Sequence, residues 1–134
     1  MRAWLSALAL VSLSGCGWLA YSDEGPGAPG RAGAAYLFWI DGTPRRLIDA
    51  GAGSFLRFAE AGGRIASLDA ILISHYHADH TGDLAGILNS GGFEGRTEPL
   101  PVIGPDAAPR FPSTAEFLQR LLDASQGDQL AELE

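Results

Sequence analysis

Lysine is absent from this 134-residue chain: all nine basic residues are arginine, set singly or as the pair Arg45-Arg46 against sixteen acids. With no basic cluster and a net charge of −7, the composition argues against a nucleic-acid-binding surface, which needs concentrated cations to meet phosphates. Cysteine occurs once, at Cys16, so no internal disulfide can form, and no CxxC or Cys/His spacing suggests a structural zinc knuckle. Any metal must then be held by His and Asp. Long apolar runs are missing too, since that from Ala3 to Leu13 is too short to cross a bilayer as a helix. No internal repeat is visible. What is present, 46% apolar residues, suits one small domain with a real core and excludes a disordered tail.

Met1-Arg2 followed by the run to Leu13 reads as a secretory signal. It ends in Leu13-Ser14-Gly15-Cys16, which resembles the bacterial lipobox, where the peptide is cut before a cysteine that receives lipid. Residues 1–16 are therefore assigned to a lipoprotein signal with Cys16 as the lipidated mature N-terminus, and 17–24 to a tether. Two or three acyl chains anchor stably, each buried CH₂ contributing about 0.8 kcal/mol. Gly17 rather than Asp after the cysteine implies sorting to the periplasmic face of an outer membrane. The expected location is thus the bacterial cell envelope, with the membrane as a partner through the lipid. Eight arginines against sixteen acids would remain after cleavage, a net −8.

Beyond the tether, Ala34 to Ile40 and Arg45 to Asp49 predict two strands of a hairpin, turned at Asp41-Gly42. Ser54 is expected to cap a short helix carrying Phe55, Leu56, Phe58 and Ala59 and stopped by Gly62-Gly63. Leu68 to Ser74 reads as a buried strand, Thr81 to Asn89 as a helix ending at Gly91-Gly92, and Pro101 to Ile103 as a brief strand. Ser113-Thr114-Ala115-Glu116 is a capping box opening a last helix with Phe117, Leu118, Leu121 and Leu122 on one face. Trp39, Phe55 and Phe58 are expected in the core, Arg45 and Arg46 on the hairpin surface, and Asp83 as a solvated helix carboxylate.

All three histidines fall within six residues, His75-x-His77-x-Asp79-His80, directly after the buried strand. Residues two apart in an extended segment point the same way, so His75 and His77 can serve one metal ion. Asp79 and His80, on the turn into the next helix, can reach a second. Such a pair of ions lowers the pKa of a bridging water and polarises the bond to be cleaved. His and Asp ligands suit zinc best, and iron and manganese also accept them.

At these residues the chain resembles the metallo-β-lactamase superfamily, and within it the ribonuclease Z and arylsulfatase-like branch. Gly27-Ala28-Pro29-Gly30-Arg31, Asp49-Ala50-Gly51-Ala52-Gly53 and Leu100-Pro101-Val102-Ile103-Gly104-Pro105 are similar to that branch's opening loop, "Asp-x-Gly-x-Gly" strand end and Gly-Pro turn. The resemblance covers Gly25 to the C-terminus. It implies an α+β fold, the first half of an αββα sandwich, over residues 25–134. His75 and His77 would bind the first of two divalent ions, and Asp79 and His80 the second. Asp79 would also act catalytically in proton transfer, and Asp49 would brace the histidine loop. The family completes its site with a further His, a bridging Asp and a last His downstream, whereas no histidine follows His80. The chain is therefore expected to be truncated and inactive alone. The expected activity is a dinuclear metal-dependent hydrolase of the envelope acting on a small-molecule ester such as a phosphodiester or sulfate ester, with no nucleic acid as partner. A β-lactamase and a non-catalytic metal-binding lipoprotein are the alternatives.

Overall fold

The computed structural model describes residues 31–123 and, as backbone, 8–12. Cys16, the 17–24 tether and Gly27 to Gly30 lie outside the described residues. Strands β1 (Leu8–Ser12), β2 (Tyr36–Ile40), β3 (Thr43–Ile48), β4 (Ala70–Leu72) and β5 (Val102–Ile103) form one sheet in chain order. The first pairings, β1 with β2 and β2 with β3, are antiparallel, and β3, β4 and β5 run parallel. β1 lies inside the run assigned to the export signal and pairs with β2 from Leu8 opposite Ile40 to Ser12 opposite Tyr36. Helices α1 (Ser54–Glu60), α2 (Ala78–Thr81) and α3 (Leu84–Ser90) fill the parallel crossovers, and α4 (Thr114–Leu121) follows β5.

The β2–β3 hairpin turns on Asp41 and Gly42, both with positive φ (49° and 72°), the geometry that suits the right-handed twist of paired strands. Beyond the turn, Pro44 brings no N–H to the ladder, and the register shifts between Phe38 and Trp39, with Trp39 opposite Pro44. Across the sheet Leu37, Leu47, Ile71 and Val102 stand in one row of register partners. The first three are fully buried, and Phe58 of α1 and Leu84 and Ile87 of α3 complete the core with them. Phe58 lies in the core as expected and Trp39 and Phe55 pack against it, but Leu56 is 64% exposed.

Two local expectations are corrected. Ser54 does not cap α1: its hydroxyl is buried without a partner, and Gly53, at φ +82°, occupies the cap position. The cap comes instead from Asp83, whose carboxylate accepts from the Phe55 N–H at 2.9 Å across 28 residues. Asp83 is therefore not a merely solvated carboxylate, and it also explains why the helix expected from Thr81 to Asn89 starts at Leu84. Its N–H bonds to the Ala50 carbonyl at 2.9 Å, and its φ of −101° breaks the chain between α2 and α3. The capping box of α4 forms as read: the Glu116 N–H donates to the Ser113 hydroxyl oxygen at 3.3 Å, and the Ser113 N–H and hydroxyl both donate to the Glu116 carboxylate, at 2.8 and 2.9 Å. The two bonds to the carboxylate, the backbone one foremost, hold the Glu116 carboxyl below its ordinary pKa.

Candidate metal centre

β4 ends at Leu72, and Ser74 to His77 lead into α2, which carries Asp79 and His80, at the carboxyl end of the parallel strands. In open sheets of this kind, ligands bind at that end. Beneath the turn, three backbone segments interlock. The Ala34 N–H donates to the Asp79 carbonyl (2.7 Å), the Ala50 N–H to His80 (2.7 Å) and the Ala52 N–H to Ala78 (3.3 Å), while the Gly33 N–H donates to the Ala52 carbonyl (2.7 Å) and the Gly51 N–H to the Ala34 carbonyl (3.0 Å). The approach is so close that a Cβ on Gly51 would overlap the Asp79 carbonyl and sit 2.8 Å from the Ala34 nitrogen. Gly51 thus lets the strand end seat the ligand-bearing turn.

Asp49 occupies the left-handed region at φ 59°, which an aspartate tolerates better than most side chains, and is 3% exposed. Its carboxylate accepts three bonds of 2.8 Å: from the Ser74 N–H, the Ser74 hydroxyl and His80 Nδ1. A carboxylate only accepts, so His80 carries its proton on Nδ1 and presents the Nε2 lone pair. The Ser74 hydroxyl has one hydrogen, spent on Asp49, so His75 Nδ1, 3.1 Å away, must donate to Ser74 and present its own Nε2. One buried aspartate thereby sets both imidazoles in the ligating tautomer, as metal-binding histidines require.

His75, Asp79 and His80 bring one donor atom each within 4.8 Å of one another. His80 Nε2 and Asp79 Oδ2 are 3.5 Å apart, close to the ~3.4 Å that two ligands keep on one tetrahedral ion. The donor set fits a divalent ion. His77 does not join this group: exposed at the cap position of α2, it lays its ring edge-on to His75 at 4.8 Å between centroids. The structure therefore gathers members of both expected pairs, with His77 alongside.

An α+β half-sandwich with a His/Asp cluster that could hold a metal ion at the carboxyl end of its parallel strands defines the class of fold. The chain belongs to the metallo-beta-lactamase superfamily, whose sequence profile matches residues 28–124. Among its relatives, ribonuclease Z of Lachnoclostridium phytofermentans is 40% identical over 90 residues, covering 67% of this chain and 29% of that protein. Ribonuclease Z of Mycolicibacterium paratuberculosis is 38% identical over 103 residues, 75% and 34% of the two chains. The fold is similar to that of the Bacillus subtilis protein YhfI (TM-score 0.62, 25% identity, 84% of this chain and 40% of the other). It is also similar to that of the short form of human tRNase Z (TM-score 0.64, 23% identity, 87% and 40%). The chain spans about a third of the length of these curated relatives, and only part of the fold.

These relatives correct one expectation. A small-molecule ester substrate with no nucleic acid as partner does not stand beside relatives that are ribonucleases. The physical reason is that net charge averages over the whole chain, whereas a site that meets a phosphate through bound cations needs no basic surface of its own.

Proposed function

We propose that the protein is a metal-dependent phosphodiesterase acting on RNA, with His75, His77, Asp79 and His80 as ligands of two divalent ions, zinc foremost. The observation that carries this reading is the Asp49-oriented His75, Asp79, His80 cluster in a chain that is 40% identical to a ribonuclease Z over 90 residues. Bound ions would supply Lewis acidity and ready deprotonation of water at neutral pH. The chain's own residues orient and exchange protons: Asp49 and Ser74 hold the two imidazoles. Asp79, with its side chain 42% exposed, keeps a carboxylate oxygen available to accept a proton at the site. Four side chains leave each of two ions with two protein ligands, fewer than the three a catalytic zinc usually has. We propose that further ligands come from residues outside 31–123. The test is cleavage of a short labelled RNA by the protein expressed from its own gene. Cleavage is expected to stop when EDTA strips the metal and to return with zinc, iron or manganese. Cleavage that survives chelation, or none in any metal, would overturn the reading.

We also propose that Cys16 is lipidated and holds the protein at the outer membrane. The support is the apolar run ending in Leu13-Ser14-Gly15-Cys16. Mass spectrometry of membrane fractions is expected to show a diacyl or triacyl Cys16 as the first residue. An intact leader or an unmodified cysteine in the mature protein defeats the proposal.

A further inference from the structure

The Pro105 carbonyl accepts from the Thr114 N–H at 3.1 Å and has the Tyr76 hydroxyl at 3.0 Å and the Thr114 hydroxyl at 2.9 Å. The two hydroxyls are themselves 2.9 Å apart, closing a triangle in which one hydroxyl donates to the carbonyl and the other donates either to the carbonyl or to its neighbour. Thr114 is 8% exposed, and the Tyr76 ring stacks on Phe117 of α4 with centroids 4.6 Å apart and planes 16° from parallel. Gly104 lets the triangle close against β4, since a Cβ there would stand 2.7 Å from the Thr114 hydroxyl and 3.0 Å from the Ile73 carbonyl. The Tyr76 and Phe117 rings pack against the core of β2 to β4, α1 and α3, while the Tyr76 hydroxyl reaches beyond it to the Pro105 turn.

Tyr76 stands between His75 and His77. The His75 and His77 rings meet edge to face at 4.8 Å, so anchoring the residue between them constrains the roll of the segment and the direction of both imidazoles. We propose that Tyr76 is a positioning residue for the metal centre, locking the histidine loop to the Pro105 turn and to α4. Asp49 sets the tautomers from one side of the loop, and Tyr76 sets its rotation from the other. This rests on the metal-centre reading above.

Zinc affinity by competition with a chromophoric chelator, and the visible absorption of the cobalt form, test the proposal in the full chain. Tyr76→Phe removes the hydroxyl and keeps the ring on Phe117, so its thermal midpoint is expected to stay close to wild type. Its zinc affinity is expected to fall about tenfold, the low end of the effect of removing a group that orients a ligand, with a changed cobalt spectrum. Thr114→Val should reproduce this and Thr114→Ser should restore wild-type binding. The double variant Tyr76→Phe, Thr114→Val should be little worse than either single one, because both break one triangle. Unchanged zinc affinity and cobalt spectrum in Tyr76→Phe, whatever the thermal midpoint does, overturn the proposal. A wild-type chain that binds neither ion overturns the metal-centre reading and this one with it.

Discussion

Gly51→Ala is expected to lose on the order of 3 kcal/mol of stability and the metal site with it, at the upper end of what one added methyl does in a packed interior. The new Cβ meets backbone on two sides: the Asp79 carbonyl, with its carbon 2.6 Å away, and the Ala34 nitrogen at 2.8 Å. Backbone cannot rotate aside as a side chain can. Relief requires the turn bearing Asp79 and His80 to lift off the strand end, which lengthens the Ala34-to-Asp79 and Ala50-to-His80 bonds of 2.7 Å. Urea unfolding and zinc titration should therefore change together. Gly92→Ala is the control, because a Cβ there meets nothing within 4 Å. A Gly51→Ala chain as stable as the Gly92→Ala chain, or one that binds zinc normally, would show that the interlock is not what seats the ligands.

Removing the Asp49 carboxylate is expected to weaken zinc binding by about 10- to 100-fold, the usual consequence of losing the group behind a metal-binding histidine. Two substitutions separate its parts. In Asp49→Ala three donors lose their acceptor, two of them on Ser74, and the alanine must also hold a φ near 59°. Stability is expected to fall by about 2 to 4 kcal/mol. Asparagine tolerates the left-handed backbone and its oxygen can still accept from the Ser74 N–H. Its amide would then point N–H groups at the Ser74 hydroxyl and at His80 Nδ1, favouring the imidazole tautomer that places hydrogen on Nε2. Asp49→Asn should thus keep more stability than Asp49→Ala while losing a similar amount of zinc affinity. Equal zinc affinity in wild type and Asp49→Asn would refute the tautomer argument.

The parts of this molecule legible in the sequence are those set by neighbours along the chain. Asp41-Gly42 announces its hairpin because both residues accept positive φ, and Ser113 to Glu116 announces α4 because a capping box closes within four residues. The histidines stand out by density alone. What stayed hidden depends on partners far apart in sequence. Asp83 looks like a surface acid until folding brings it to the Phe55 N–H, and Ser54 looks like a cap until Gly53 takes that place. His75 and His77 share a spacing that suggests one ion, and the structure sets their rings edge to face at 4.8 Å while gathering His75 with Asp79 and His80. The "Asp-x-Gly-x-Gly" segment was legible as a likeness but not as a mechanism. Only the structure shows the first residue orienting two imidazoles, the second admitting a crossing backbone and the third starting α1 at φ +82°. The acidic composition misled because it describes the whole chain, while the cluster is local.

The interlock of residues 33–34, 50–52 and 78–80 also orders events in time. The β2–β3 hairpin joins neighbours and belongs to the microsecond class of folding steps, whereas β3 meets β4 only after the chain between them has folded back in parallel. Asp79 and His80 gain their backbone partners after that crossover closes, so the ligands converge at the end of assembly. A metal ion added to the unfolded chain therefore finds imidazoles that are close in sequence but lack the Asp49 and backbone partners that orient them, and its tight capture at this centre reports that the slow, long-range pairing is complete.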